Sequence, residues 1–252
     1  MIPVFRPSMD AQETNEVKGV LESGWVGLGP KTEEFEKALE VYLGNKHIIT
    51  TNSATAALHL ALIVAGVTEG DEVISPSLTF VSTNHVILYQ KATPVFCDAD
   101  PETLCADPKD VIKKITSKTK AIIVVHYGGH AVDMDPILKI ARHFNLKVIE
   151  DATESLGALY KNKQTGSLAD VGCFSFNGNK IITTGGGGMI LSSDTKKLNF
   201  CKHLSTQAKK EDPFTFFHDA MGFNYRLSNI SAAFGVAQME SLNEFIPPNF
   251  PA

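Results

Sequence analysis

Residues 121–151 read AIIVVHYGGHAVDMDPILKIARHFNLKVIED: a strand, a helix and a second strand in succession. Ala121–Val125 is an unbroken apolar run, Pro136–Phe144 has helical spacing that stops at Asn145, and Lys147–Ile149 is again β-rich. Short β-rich runs alternating with helical patterns are the sequence sign of a mainly parallel sheet covered by helices.

The alternation extends both ways from there, over about Thr50 to Leu191. His47–Thr51, Glu72–Ser75, Thr93–Phe96, Val171–Ser175 and Gly188–Leu191 complete a set of seven expected strands. Ala54–Ala65 and Ser82–Tyr89 are the other expected crossover helices, with Gly66 and Gly70-Asp71 as stops or turns. Ahead of the sheet, Asp10–Ser23 and Thr32–Leu43 read as two amphipathic helices joined by a Gly/Pro loop. Beyond it come a helix through Lys196–His203, a polar loop from about Ser205 to Asp219, and a helix from Ser228 to about Leu242. The ending Ile246-Pro247-Pro248-Asn249-Phe250-Pro251-Ala252 cannot continue that helix, because three prolines remove amide donors and fix φ.

The 252 residues, 43% of them apolar, suffice for one sizeable α/β domain with a small appendage. The net charge of −5 comes without clustered Lys and Arg, so neither nucleic acid nor an anionic membrane is an expected partner. Cys97, Cys105, Cys173 and Cys201 are far apart and form no CxxC pair, which argues against zinc and disulfides and for a reducing cytoplasm. The start has no apolar signal region and the longest apolar stretch, roughly Ala54–Val67, is too short to span a bilayer, so neither export nor insertion is expected.

Three segments carry chemistry. Phe174–Thr184, followed by Gly185–Gly188, puts Lys180 in an open loop just beyond a buried strand, where a partly desolvated amine can form a Schiff base. The same segment also reads as a surface lysine beside a flexible turn; the glycine run lacks the GKS/T ending of a nucleotide P-loop. Lys147–Asp151 ends an apolar strand in two acids, at the edge where open α/β sheets bind ligands. There Asp151 reads either as a partner for a pyridinium nitrogen or as a helix cap or metal ligand. Thr51–Leu58 places hydroxyl residues at a strand-to-helix turn whose free amides suit a phosphate at Thr55 and Ala56, or an ordinary helix cap. The three point to one ligand, pyridoxal 5′-phosphate (PLP).

Together with Gly70–Phe80 and Glu150–Gly157, these segments resemble, in order and spacing, the DegT-type sugar aminotransferases, from Pro3 to about Leu242. The resemblance implies a fold-type-I PLP-transferase large domain over 1–242, with residues 1–45 as an N-terminal helical arm. It implies that Lys180 holds the cofactor as a Schiff base, Asp151 pairs with the pyridine nitrogen and Phe80 stacks on the ring. Glu154 matches a position near the ring's phenolic oxygen, and Thr55, Ala56 and Ser175 match phosphate-holding positions. Gly222–Leu227 matches a segment that reaches the neighbouring subunit's site, so Asn224 or Arg226 would act in trans in a homodimer. The expected substrates are L-glutamate as amino donor and a nucleotide-linked keto sugar as acceptor, for amino-sugar and surface-polysaccharide biosynthesis. Relatives that run sugar dehydration carry His in place of the lysine, so Lys180 favours amino transfer.

The resemblance also implies a smaller C-terminal domain, for which 243–252 leaves no room. The expectation is a fragment or frameshifted product with a foreign Pro-rich tail, catalytically inactive while keeping the fold, or a short chain completed by another. The lone tryptophan, Trp25, in the Gly24–Pro30 loop reads as a packing anchor or a sugar platform. His126 and His130 read as hydrogen-bonded scaffold rather than acid–base groups.

Overall fold

The structure is a computed structural model describing residues 5–44, 47–212 and 214–246. Residues 1–4 and 45 of the expected arm and 247–252 of the expected tail lie outside the described residues.

Two helices, α1 (Ala11–Ser23) and α2 (Pro30–Tyr42), precede β1 (His47–Thr51). The chain then alternates through α3 (Ala54–Val64), β2 (Glu72–Pro76), α4 (Ser82–Tyr89), β3 (Thr93–Cys97), α5 (Pro108–Lys113), β4 (Thr119–Val125), α6 (Met134–Phe144) and β5 (Lys147–Asp151). A short ribbon, β6 (Leu159–Tyr160) and β7 (Lys163–Gln164), leads to β8 (Val171–Ser175) and β9 (Gly188–Ser192), followed by α7 (Thr195–Ser205), α8 (Asn229–Glu240) and α9 (Leu242–Phe245). Seven strands form one sheet in the order β1-β9-β8-β5-β4-β2-β3. All pairings from β8 to β3 are parallel, and β9 runs antiparallel to both of its neighbours. The expected mainly parallel seven-stranded sheet between helices is therefore present.

The apolar runs are continuous because both faces of the sheet are covered. In β4, Ala121 and Ile123 enter a core built with α3 and α7, whereas Ile122 and Val124 enter one built with α6. A third core, under α2 and α8, takes Phe174, Met189 and Leu191, with Phe35 set edge-on to Phe176 at 5.1 Å. Each strand feeds alternate side chains to opposite layers, which fixes its register and therefore the height at which its last residue emerges.

Differences from the expected elements have local causes. Helix α2 begins two residues before Thr32, because Pro30 suits a first helical position after extended Gly29. Strand β5 runs on through Glu150 and Asp151, both buried with hydrogen-bond partners. Helix α5, capped by Asp107, is too short to show a period. The ribbon turns on Lys161 and Asn162, both in the left-handed region as a tight hairpin requires. The segment expected as a polar loop, about Ser205 to Asp219, instead exposes Phe214, Phe216 and Phe217. Among the described residues, no helix is long and apolar enough to cross a membrane.

Candidate active site

The site lies at the carboxyl edge of the sheet, where β1, β5 and β8 end. At the end of β5, Glu150 and Asp151 part company, since successive strand residues point to opposite faces. Glu150 accepts from the amides of Gly166, Leu168 and Ala169 at 2.7 Å each, and pairs with His126 Nε2 at 3.0 Å. His126 Nδ1 accepts from the amide of Val132, so the ring proton sits on Nε2 and goes to Glu150. His126 is thereby scaffold, as the sequence suggests, and His130 is exposed.

Asp151 is also buried, at 2% exposure, and it accepts from the Thr83 hydroxyl at 2.7 Å and the Thr153 amide at 3.3 Å, with the Thr153 side chain also favouring its charged form. Burial pushes its carboxyl above the usual carboxylate range, against the pull of these hydrogen bonds and of nearby Lys180. A carboxylate in this state favours any cation brought against it.

Lys180 rides on the loop that leaves β8. The loop's two ends close on Phe176, which donates to Gly187 O and accepts from the Thr184 amide and the Thr183 hydroxyl. Gln238 of α8 holds the loop from behind by accepting from the Thr183 amide. The side chain of Lys180 is 18% exposed, and its Nζ lies 3.7 Å from Glu154 Oε1. The other oxygen of Glu154 accepts from the Gly128 amide at 2.9 Å, which pins the carboxylate beside the amine.

The turn from β1 into α3 forms the opposite wall. Ser53 caps the helix by accepting from the Ala56 amide. At Gly188 the first residue of β9 presses on this turn: a Cβ there would sit 2.5 Å from the amide nitrogen of Ala54. Gly188 is thus required by close contact between β9 and the α3 turn, whereas Gly185 and Gly186 have open space around them. The cavity between these walls is about 420 Å³, lined among others by Ser53, Thr55, Phe80, Asp151, Ser175 and Lys180. A smaller space of about 250 Å³ adjoins it past Glu154 and Lys180, towards Gly128 and Ile181.

Residues 7–249 match the DegT/DnrJ/EryC1/StrS aminotransferase family. The chain belongs to this family. It is 42% identical over 246 residues to the GDP-perosamine synthase of Escherichia coli O157:H7, covering 97% of this chain and 67% of that protein. The aminotransferase TlmJ from Streptoalloteichus hindustanus superposes with a TM-score of 0.92 at 33% identity, covering 97% of this chain and 67% of that one. The PLP-form of the sugar aminotransferase Spr1654 from Streptococcus pneumoniae gives 0.91 at 31% identity, covering 96% and 67%. The chain thus spans about two thirds of the length of the curated relatives it matches.

PLP is the cofactor of DegT/DnrJ/EryC1/StrS aminotransferases, and the residues present fit it. A buried carboxylate short of a cation, an amine on the facing loop, a hydroxyl-lined helix start and an exposed aromatic share one cavity. Of the residues expected from the sequence, Thr55, Phe80, Asp151, Glu154, Ser175 and Lys180 all line it. Two do not. Ala56 is buried within α3 and its amide is taken by Ser53, so in this structure the cap reading of that turn applies to it. Asn224 is exposed outside the cavity, although its carbonyl accepts from Asn52, a lining residue. Trp25 is 67% exposed and does not line the cavity; its backbone is engaged, the amide donating to the Ser23 hydroxyl and the carbonyl accepting from Asn229. The sequence reading did not single out Thr83, in the first turn of α4, or Thr153, Asn177 and Asn179, in the loops that leave β5 and β8, because no spacing pattern marks them.

Proposed function

We propose that this cavity binds PLP through Lys180 and serves amino transfer from L-glutamate to a nucleotide-linked keto sugar. The observation that carries the reading is the placement of Lys180 and buried Asp151 on one cavity, together with Phe80 and the hydroxyl residues Ser53, Thr55 and Ser175. The name GDP-perosamine synthase, borne by several relatives, makes a GDP-linked keto sugar the first acceptor to test.

PLP supplies an electron sink that stabilises negative charge at the amino-bearing carbon. Asp151 would keep the pyridine nitrogen protonated, a role that its burial and its few donors suit. Phe80 would cover the ring. Thr55 and Ser175 would hold the phosphate at the start of α3, whose dipole favours an anion. Lys180, once displaced from the cofactor by the donor's amine, would carry the proton between carbon positions. Glu154, fixed by Gly128, lies close enough to orient that amine. The adjoining space towards Gly128 and Ile181 offers room for the acceptor sugar.

A homodimer is part of the proposal. Phe214, Phe216, Phe217 and Met221 are exposed on the segment that leads to Asn224, and Asn52 ties that segment to the cavity wall. A second copy seated there would bring its own Asn224 or Arg226 to this site. We place the reaction in the cytoplasm, where the four buried thiols would stay reduced.

The test is an absorbance titration of the purified chain with PLP, then borohydride reduction and peptide mapping. Label on Lys180 is the expected result, followed by glutamate-dependent amination of GDP-linked keto sugars. A folded chain that takes no label on Lys180 would overturn the reading.

A further inference from the structure

The carboxylate of Asp151 does not sit alone. Thr83, 1% exposed in the first turn of α4, places its Oγ1 2.7 Å from Asp151 Oδ2, and Thr79 Oγ1 lies 2.9 Å from Thr83 Oγ1. A hydroxyl has one hydrogen to give, and an ionised carboxylate only accepts. The hydrogen of Thr83 therefore goes to Asp151, and the contact between the two threonines is made by the hydrogen of Thr79. The chain of donors runs in one direction, from Thr79 to Thr83 to Asp151.

Resting on the PLP reading above, we propose that Thr83 is a positioning residue that fixes Asp151 for its partner on the cofactor, with Thr79 orienting the Thr83 hydroxyl. Both threonines flank Phe80, so the single turn from β2 into α4 would set the ring's face contact and the orientation of the carboxylate beneath it. The Thr83 hydroxyl lies closer to Asp151 than the Thr153 amide does, 2.7 Å against 3.3 Å, and is the strongest of its hydrogen bonds among the described residues. A donor to the ionised form favours that form against burial, and two aligned hydroxyls polarise one another.

The experiment is a double-mutant cycle read by PLP affinity, which does not depend on turnover. Thr83→Val keeps the shape and removes the hydrogen. It should weaken PLP about tenfold, roughly the contribution of one hydrogen bond to a charged group. Thr83→Ser, which keeps the hydroxyl, should stay within about twofold of wild type on the same reasoning. In an Asp151→Asn background the Thr83→Val effect should largely vanish. Equal losses from Thr83→Val in both backgrounds, or a serine variant as poor as the valine, would overturn the proposal.

A second measurement needs no cofactor. Without PLP, Thr83→Val should extend to higher pH the loss of melting temperature caused by Asp151 ionisation, and Thr83→Ser should not. An unmoved curve overturns the relay even where wild type binds PLP. A wild type that takes no PLP overturns the cofactor reading and, with it, the positioning role.

Discussion

Glu150 and Asp151 are neighbours on one strand and about equally buried, yet one belongs to the scaffold and the other to the cavity. Glu150 is saturated by three amides and an imidazole, which hold the loop 166–169 against the end of β5. Asp151 has one short hydroxyl contact, from Thr83, and weaker ones from Thr153. The difference teaches that burial alone does not mark a functional acid; the number of donors already committed to it does. A satisfied buried charge stabilises the fold, and an under-satisfied one stores affinity for a cation yet to arrive.

The largest expected effect is on the cavity side. Lys180→Ala should abolish borohydride-stable PLP labelling altogether while the melting temperature stays close to wild type, which peptide mapping and calorimetry would show together. Glu150→Gln probes the scaffold side. It leaves amides facing an amide group that cannot accept from all of them, and should cost about 3 kcal/mol of stability in a denaturant melt. A loss under about 1 kcal/mol would break the contrast between the two acids.

Gly188→Ala should cost about 2 kcal/mol, because its Cβ meets the backbone at Ser53 and Ala54, and PLP affinity should fall with it as the α3 turn shifts. Asp151→Asn should have the smallest effect on stability, and of opposite sign: about 1 kcal/mol of gain at neutral pH in the absence of PLP. The sign follows from the raised carboxyl. Its stabilising, protonated form is fully present below the ordinary value near about 4 and is lost as pH rises through the higher folded value. The asparagine variant should lack that part of the pH dependence, and paired melting curves from acid to neutral pH would reveal it.

The parts of the fold legible in the sequence are those where a strand is buried on both faces or a helix shows its period. Thus β4, α6 and β5 stand out, and Asn145 stops α6 in the left-handed conformation its side chain tolerates. The ribbon of β6 and β7 was not legible, since two-residue strands carry no pattern. In the site, Lys180 and Asp151 were legible because each follows an apolar strand, and strand ends are where such sheets place ligands. Ala56 shows the limit of reading by position: the turn was found, but whether its amide is free depends on the side chain of Ser53. Thr83 was not legible because its role lies in a hydrogen bond to a residue far along the chain.

The pairing of β9 with β1 has a consequence for the order in which the molecule is made. Strand β1, whose end forms the turn into α3, has β9 as its one neighbour in the sheet among the described residues. A nascent chain emerging from the ribosome exposes β1 early, yet cannot dock it until β9 has followed. Since β9 directly follows the loop bearing Lys180, the strand that pairs with β1 is synthesised just after the residue on the other wall of the cavity, and a chain interrupted before β9 leaves β1 without that partner.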